Sequence, residues 1–153
     1  MVPSFTWLPF LRMRWRHFGH VPIAVSFPNV DAVLYRPMSA TPAAGCLFCR
    51  IVAREAPADI EYEDDAVVAF RDIYPKAPVH VLIVPRRHIA SILAMEPDDV
   101  VPIGRCLLAA RAIGEAKGFG ERGYRVSVNC GPEGGQHVYH VHFHFTAGRA
   151  PRG

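Results

Sequence analysis

The sequence predicts an α+β fold, with an antiparallel sheet of about five strands, a short N-terminal helix and one long helix. Strand-like runs at 59–63, 66–72 and 79–85 follow one another across short polar turns. A long apolar pattern of helical period comes next, and two more strand-like runs close the chain. Strands grouped in this way, rather than alternating with helices, are typical of α+β proteins.

The two helices are indicated by apolar residues at helical spacing. The first is expected directly after Cys46, and the second after Pro97-Asp98-Asp99, which supplies a cap and an acidic first turn. Their apolar stripes are Leu47, Phe48, Ile51 and Val52 in the first helix and Val100, Ile103, Leu107, Ala110 and Ile113 in the second. Strands at 124–129 and 138–145, separated by a glycine-rich turn, complete the predicted sheet.

The excess of positive over negative charge is confined to the start of the chain. Residues 1–45 contain four arginines and one acid, whereas residues 46–153 carry 13 basic and 13 acidic side chains. We expect residues 1–45 to be a disordered or mis-annotated N-terminal extension, with translation starting at Met38, and residues 46–153 to form the domain. This body has no basic stripe, so a nucleic-acid polymer is not an expected partner.

The composition also predicts the compartment. No apolar run approaches the ~18 residues of a membrane-spanning helix, so no membrane partner is expected. Arg12, Arg14 and Arg16 interrupt the start of the chain, which does not fit a secretory signal. Four cysteines, two of them in Cys46-x-x-Cys49, are typical of a reducing compartment with a metal or redox site. The predicted location is cytoplasmic.

Four of the eight histidines lie between residues 137 and 144. In a strand, alternate side chains share a face, so His140, His142 and His144 would line one side. The other, core-facing side would hold Tyr139, Val141, Phe143 and Phe145. A polar surface strand or an adventitious metal site is the alternative, but neither explains histidine at three alternate positions. With the phosphate-cradling glycines at 134–135, the imidazoles indicate phosphoryl or nucleotidyl transfer.

The motif His140-Val-His142-Phe-His144-Phe145, preceded by Gly134-Gly135-Gln136, resembles that of the histidine triad proteins, specifically their Hint branch of nucleotide-binding phosphoramidases. Further matches are Cys46-Leu-Phe-Cys49, Phe70-Arg-Asp72-Ile73, Pro75-Lys-Ala-Pro78-Val-His80 and Val84-Pro-Arg-Arg-His88-Ile89. The resemblance implies a hydrolase that cleaves purine nucleoside 5′-phosphoramidates. It also implies a covalent nucleotidyl-histidine, which water then hydrolyses.

The resemblance implies a role for each matching position. His142 is implied as the nucleophile, His144 as a phosphate contact, and the backbone around His140 as the group that fixes the tautomer of His142. The implied nucleotide-binding residues are Asp72 at the ribose hydroxyls, Ile73 and Asn129 at the nucleotide, and Gly135 and Gln136 in the phosphate-contacting turn. For Asp72, the alternative is a turn residue that caps its own backbone.

His137 departs from the Hint pattern, which usually has a serine near the leaving group at this position. A histidine can serve as the general acid itself, since its charge changes near neutral pH. We therefore place His137 among the candidate catalytic residues, and the preferred leaving group does not carry over from the resemblance.

A second constellation predicts a structural zinc ion. Cys46, Cys49, His80 and His140 match the donor set of a closed tetrahedral site, and some members of the resembled family bind zinc at these positions. A redox dithiol lacks its usual strand-to-helix context, and packing alone would not explain the histidine partners. His88 is expected to be solvated, with no function.

The leading interpretation is therefore a homodimeric phosphoramidate hydrolase that binds purine nucleotides and needs no organic cofactor. A dimer is expected because Ile103, Leu107 and Ala110 cannot all be covered by one five-stranded sheet. Two alternatives stay open. One is a dinucleoside polyphosphate hydrolase or nucleotidyl transferase, and the other is a nucleotide-binding scaffold without catalysis.

Overall fold

The computed structural model describes residues 43–148. The elements are α1 (Leu47–Val52), β1 (Ile60–Glu63), β2 (Val67–Arg71), β3 (Val79–Pro85), α2 (Val100–Ala116), β4 (Arg125–Val128) and β5 (Phe143–Ala147), with 3-10 turns at Ile92–Ala94 and Pro97–Asp99. Nearly all of the predicted extension, including the expected start at Met38, lies outside the described residues. The domain boundary at residue 45 therefore stays a prediction.

The strands form one sheet in the order β1-β2-β3-β5-β4, and every neighbouring pair is antiparallel. β3 is central and pairs with β5 in a register that sets Leu82 opposite His144 and Ile83 opposite Phe143. The predicted α+β class, with a five-stranded antiparallel sheet and one long helix, is confirmed.

Each face of the sheet is covered by one helix. On one face Val81 and Ile83 pack with Cys106 of α2, as expected for that cysteine. On the other, Leu82 and Val84 pack with Phe48 of α1. Because both faces are covered, β3 is buried at successive positions rather than at alternate ones, and all its residues except His80 are apolar. The alternation also places His80 on the same face as α1.

The last strand differs from its prediction. β5 begins only at Phe143, so residues 138–142 of the predicted 138–145 strand are not part of the sheet. Their backbone bonds elsewhere, since Val141 N–H donates to the carbonyl of Ile89 at 2.7 Å and His140 N–H donates to that of Val138. Tyr139, expected in the core, is 54% exposed.

The buried face of α2 is also rotated from the predicted stripe. Ala110 and Ile113 are buried, but Val100 and Leu107 are exposed. Helical spacing alone does not show which of the many apolar residues around this helix face the sheet. Asp99, in the predicted cap segment, is the N-cap residue of α2, but its side chain makes no cap hydrogen bond to the helix. Its carboxylate instead accepts a hydrogen bond from Glu96 N–H and closes the preceding 3-10 turn.

Candidate functional site

The candidate site lies on the α1 face of the sheet, around the histidines at the start of β5. His142 is buried, and its ring centroid lies 5.1 Å from that of Phe48 and 5.0 Å from that of His144. His140 and His142 stand in the extended segment before β5, and His144 stands in the strand. Sequence periodicity gave no sign that Phe48 would pack on His142, since α1 is distant in the chain.

One hydrogen bond fixes the protonation of His142. Its Nδ1 lies 2.7 Å from the carbonyl oxygen of His140, and a carbonyl can only accept, so Nδ1 carries the proton. Burial lowers the pKa of His142, although the bond to His140 and the charge of Asp72 act in the opposite direction. His142 is therefore neutral near pH 7, with the lone pair of a nucleophile on Nε2.

His80 and His144 are joined by a hydrogen bond on the α1 face of the sheet. Nδ1 of His80 lies 3.2 Å from the backbone nitrogen of Lys76 and 3.3 Å from a carboxylate oxygen of Asp72. Nε2 of His80 lies 2.9 Å from Nδ1 of His144, and the tautomer of His80 decides which of these two nitrogens donates. Nε2 of His144 is buried and has no hydrogen-bond partner within the described part of the chain, so it is available to a ligand.

Burial and the neighbouring imidazoles of His142 and His80 lower the pKa of His144 to about 4. His144 is therefore neutral near pH 7 rather than a cation. The contact between His80 and His144 could not be read from the sequence, because it depends on the register of β3 against β5.

Asp72 follows β2 and faces the same histidines. One carboxylate oxygen accepts the N–H of Tyr74 at 2.9 Å, and the other lies 3.3 Å from Nδ1 of His80. Asp72 therefore does cap the backbone of its own turn, as the alternative interpretation expected. Each of its carboxylate oxygens still has a lone pair with which it can accept a further hydrogen bond. The neighbouring Ile73 is exposed.

The side chains of two predicted site residues form hydrogen bonds that stabilise the glycine-rich turn at 131–135. Asn129 donates its amide N–H to the carbonyl of Gly135 at 3.1 Å. Gln136 is buried, accepts the N–H of Gly131, and donates to the carbonyls of Ala90 and Val138. Both side chains brace the turn, and Gly135 adopts a φ of 75° that favours glycine. His137, directly after Gln136, is exposed.

The metal-ligand prediction is corrected at one position. Cys46, Cys49 and His140 do come together, but their fourth neighbour is His88 rather than His80. β3 separates the two histidines: His80 is near its start, beside His144 and Asp72, whereas His88 follows its end. Since β5 runs antiparallel to β3, the segment preceding β5 lies near the residues that follow β3. The register, which the sequence left open, was the missing signal.

The four side chains fit a tetrahedral zinc ion. Nδ1 of His140 lies 3.6 Å from each sulfur, Cys49 Sγ lies 3.3 Å from Nδ1 of His88, and the two Nδ1 atoms are 3.4 Å apart. Tetrahedral zinc requires about 3.6 Å between sulfur and nitrogen ligands and about 3.3 Å between two nitrogens.

The protonation of His140 also fits. Its Nε2 lies 2.9 Å from the carbonyl of Pro85, which can only accept, so the proton is on Nε2 and the Nδ1 lone pair points into the cluster. Burial lowers the pKa of His140 to about 4, which favours the neutral, ligating form.

Comparison with known proteins assigns the family. A model of the HIT domain matches residues 53–150. The chain belongs to the HIT family. It is 47% identical over 104 residues to an uncharacterised HIT-like protein of Synechococcus elongatus, with 68% of this chain and 90% of that one covered. It is 44% identical over 103 residues to the purine nucleoside phosphoramidase of Escherichia coli, covering 67% and 87% of the two chains.

Solved structures of HIT proteins agree with this assignment. A HIT family hydrolase from Legionella pneumophila superposes with a TM-score of 0.68 at 44% identity, covering 69% of this chain and 95% of that one. A histidine triad protein from Clostridium difficile gives a TM-score of 0.71 at 37% identity, covering 74% and 98%. The chain is thus a HIT family hydrolase.

We predict that this HIT domain does not accept a side chain at Gly134. A Cβ there would overlap the carbonyl oxygen of Cys130, so the backbone of the turn must shift. Gly134→Ala should lower the free energy of unfolding by about 1–3 kcal/mol, as overpacking does. Urea denaturation measures this. The matched control is Gly120→Ala, where a Cβ meets nothing closer than 4.0 Å, and an equal loss in both variants would contradict the prediction.

Proposed function

We propose that the chain cleaves purine nucleoside 5′-phosphoramidates, releasing AMP from an adenosine substrate. The similarity to the phosphoramidase of Escherichia coli supports this substrate class. The observation that carries the proposal is the hydrogen bond from Nδ1 of His142 to the carbonyl of His140, because it leaves a neutral Nε2 lone pair in a buried site.

The reaction proceeds in two displacements. In the first, Nε2 of His142 attacks the α-phosphorus, a phosphorus–Nε2 bond forms, the phosphorus–nitrogen bond of the substrate breaks, and the leaving amine takes up a proton. In the second, water attacks the same phosphorus and passes a proton to the group that protonated the amine, the bond to Nε2 breaks, and AMP leaves with His142 restored. His144, in the tautomer that carries its proton on Nε2, donates to a non-bridging oxygen as its charge grows. The backbone N–H groups of Gly135 and Gln136 already bond to the carbonyls of Pro132 and Gly131, so they are not assigned to the phosphate.

The nucleotide contacts are assigned to residues around this centre. Asp72 retains lone pairs for the ribose hydroxyls. Ile73 offers an exposed apolar side chain to the nucleotide. Asn129 and Gln136 act through the turn they brace. His137 is accessible to solvent and serves as the acid that protonates the leaving group.

The covalent step is tested at His142. During turnover of an adenosine 5′-phosphoramidate, parent protein quenched with denaturant at alkaline pH, where the phosphorus–nitrogen bond to histidine survives, should carry one adenylyl group by intact mass. His142→Ala and His142→Gly should carry none, and kcat should fall at least about 10³-fold, as expected when a nucleophile is removed. His20→Ala, from the predicted extension, is the control and should behave as the parent. An adduct that persists in both His142 variants would contradict the assignment.

Turnover and binding assays on the same protein preparation distinguish the two alternative functions. Faster turnover of a diadenosine polyphosphate than of the phosphoramidate would favour a dinucleoside polyphosphate hydrolase or nucleotidyl transferase. AMP binding without an adduct or turnover of either substrate would favour a nucleotide-binding scaffold.

We also propose that Cys46, Cys49, His88 and His140 hold a structural zinc ion, which would join α1 to the segment that carries the nucleophile. His88→Ala should lower zinc affinity at least about 10-fold, because one of four ligands is lost. His80→Ala should keep one zinc per chain, since His80 lies beside Asp72 and His144. Elemental analysis after dialysis against a weak chelator measures both variants. Zinc lost from His80→Ala but retained by His88→Ala would restore the ligand set expected from the sequence.

A homodimer is proposed from the outer face of α2. Apolar side chains at four positions of this helix are at least 42% exposed: Val100, Val101, Leu107 and Leu108. A contiguous apolar surface of this kind is typical of a protein interface. A second copy of the chain is the proposed partner.

Leu107→Glu should weaken self-association by about tenfold or more, because it places a charge in the buried centre of the interface. Leu93→Glu is the matched control, since Leu93 is 87% exposed in the 3-10 turn before α2. Equilibrium sedimentation measures both variants. A monomeric parent at micromolar concentration would contradict the dimer.

For location, the cytoplasm is proposed because the four cysteines are suited to a reducing compartment. Among residues 43–148, no helix has the length and apolarity needed to cross a bilayer.

A further inference from the structure

His140 takes part in two sites at once. Its Nδ1 lies 3.6 Å from the sulfurs of Cys46 and Cys49 and 3.4 Å from Nδ1 of His88. Its carbonyl oxygen accepts the Nδ1 proton of His142 at 2.7 Å. The ring of one residue thus belongs to the metal cluster, while its backbone holds the nucleophile.

The backbone carbonyl of His140 is placed by few other contacts. Residues 138–142 are outside the sheet ladder, so no run of strand hydrogen bonds fixes their backbone. Instead, this segment is tied to the residues that follow β3. His140 Nε2–H donates to the carbonyl of Pro85 at 2.9 Å, and Val141 N–H donates to that of Ile89 at 2.7 Å.

The metal cluster joins the same two segments. His88 lies in the loop between Pro85 and Ile89, and it meets His140 through the cluster. Cys46 and Cys49 add a third attachment, from the start of α1, whose Phe48 packs edge-on against the His142 ring. An ion bound by all four residues would fix the ring of His140, the loop around His88 and the helix that supports His142.

We propose that His140 is a positioning residue through which metal occupancy of the Cys46–Cys49–His88–His140 cluster sets the orientation and tautomer of the nucleophile His142. The inference rests on the proposed function and extends it, because the cluster then controls the rate of nucleotidyl transfer as well as stability. Loss of the ion frees the His140 ring, the carbonyl of His140 moves, and the proton of His142 redistributes between its two nitrogens.

The test compares zinc-loaded protein with protein stripped of metal under reducing conditions. Long-range ¹H–¹⁵N correlation spectra report the tautomer of His142, which a purely structural role for the metal would not change. The loaded protein should show the Nδ1–H tautomer alone, and the stripped, folded protein a mixture of both. With an adenosine 5′-phosphoramidate, kcat should fall about tenfold on stripping and recover on adding zinc, with a smaller change in KM.

Two cysteine variants supply the matched comparison. Cys46→Ala removes one cluster ligand and should reproduce the metal-free spectrum even with zinc present. Cys106→Ala removes a buried cysteine from α2, away from the cluster, and should keep the spectrum and kcat of the parent. A folded metal-free protein with an unchanged His142 tautomer and unchanged kcat would overturn the proposal, and so would a parent that binds no zinc.

A second measurement covers the case in which the stripped protein unfolds. Replacement of zinc by cadmium, a larger ion that also binds thiolates, keeps the cluster filled but displaces the ring of His140. The His142 ring ¹⁵N shifts should then move relative to the zinc form, and identical shifts would overturn the proposal. If the loaded protein turns over no phosphoramidate, the proposed function fails, while these spectra still decide whether the cluster controls His142.

Discussion

The site depends on the hydrogen bond from Nδ1 of His142 to the carbonyl oxygen of the residue two positions earlier. It decides which nitrogen of a buried, neutral imidazole is free to react. Because the acceptor is a backbone group, the geometry depends on the path of the chain through residues 138–142. Residues 138–142 lie outside the sheet and hydrogen-bond to Pro85 and Ile89, which follow or end β3. The loop around His88 therefore helps to position the carbonyl of His140, which its sequence does not reveal.

The fold serves this arrangement by covering the sheet on both faces. α2 packs on one face and leaves the other to α1, whose single apolar turn brings Phe48 against His142 and Cys49 against His140. Burial on that face keeps the imidazoles neutral, since a charged ring would lose its hydration. The same packing leaves Nε2 of His142 with its lone pair and Nε2 of His144 without a hydrogen-bond partner in the described part of the chain.

Short-range sequence patterns predicted most of the helices and strands well. β3 was predicted at its observed limits, and α1 at its observed position, because period and turn residues are properties of neighbouring amino acids. The last strand was predicted to begin at residue 138, whereas β5 begins at Phe143. An alternating run such as 138–145 fits any extended backbone, whether or not another strand pairs with it. The predicted apolar stripe of α2 differs from its buried face for a similar reason, since apolar residues occur around most of that helix.

The sequence by itself determined the family, the histidine motif and three of the four residues in the cluster of two cysteines and two histidines, because each belongs to a short motif whose spacing is chemically specific. Only the tertiary structure decided that His88 completes the cluster and that His80 contacts His144. His80 is the second residue of β3, and His88 follows the end of the same strand. The choice between them rests on the register of β3 against β5 and on where β5 begins. Register is a relation between segments about 60 residues apart in the chain, fixed by the packing of both sheet faces at once, and no local pattern contains it.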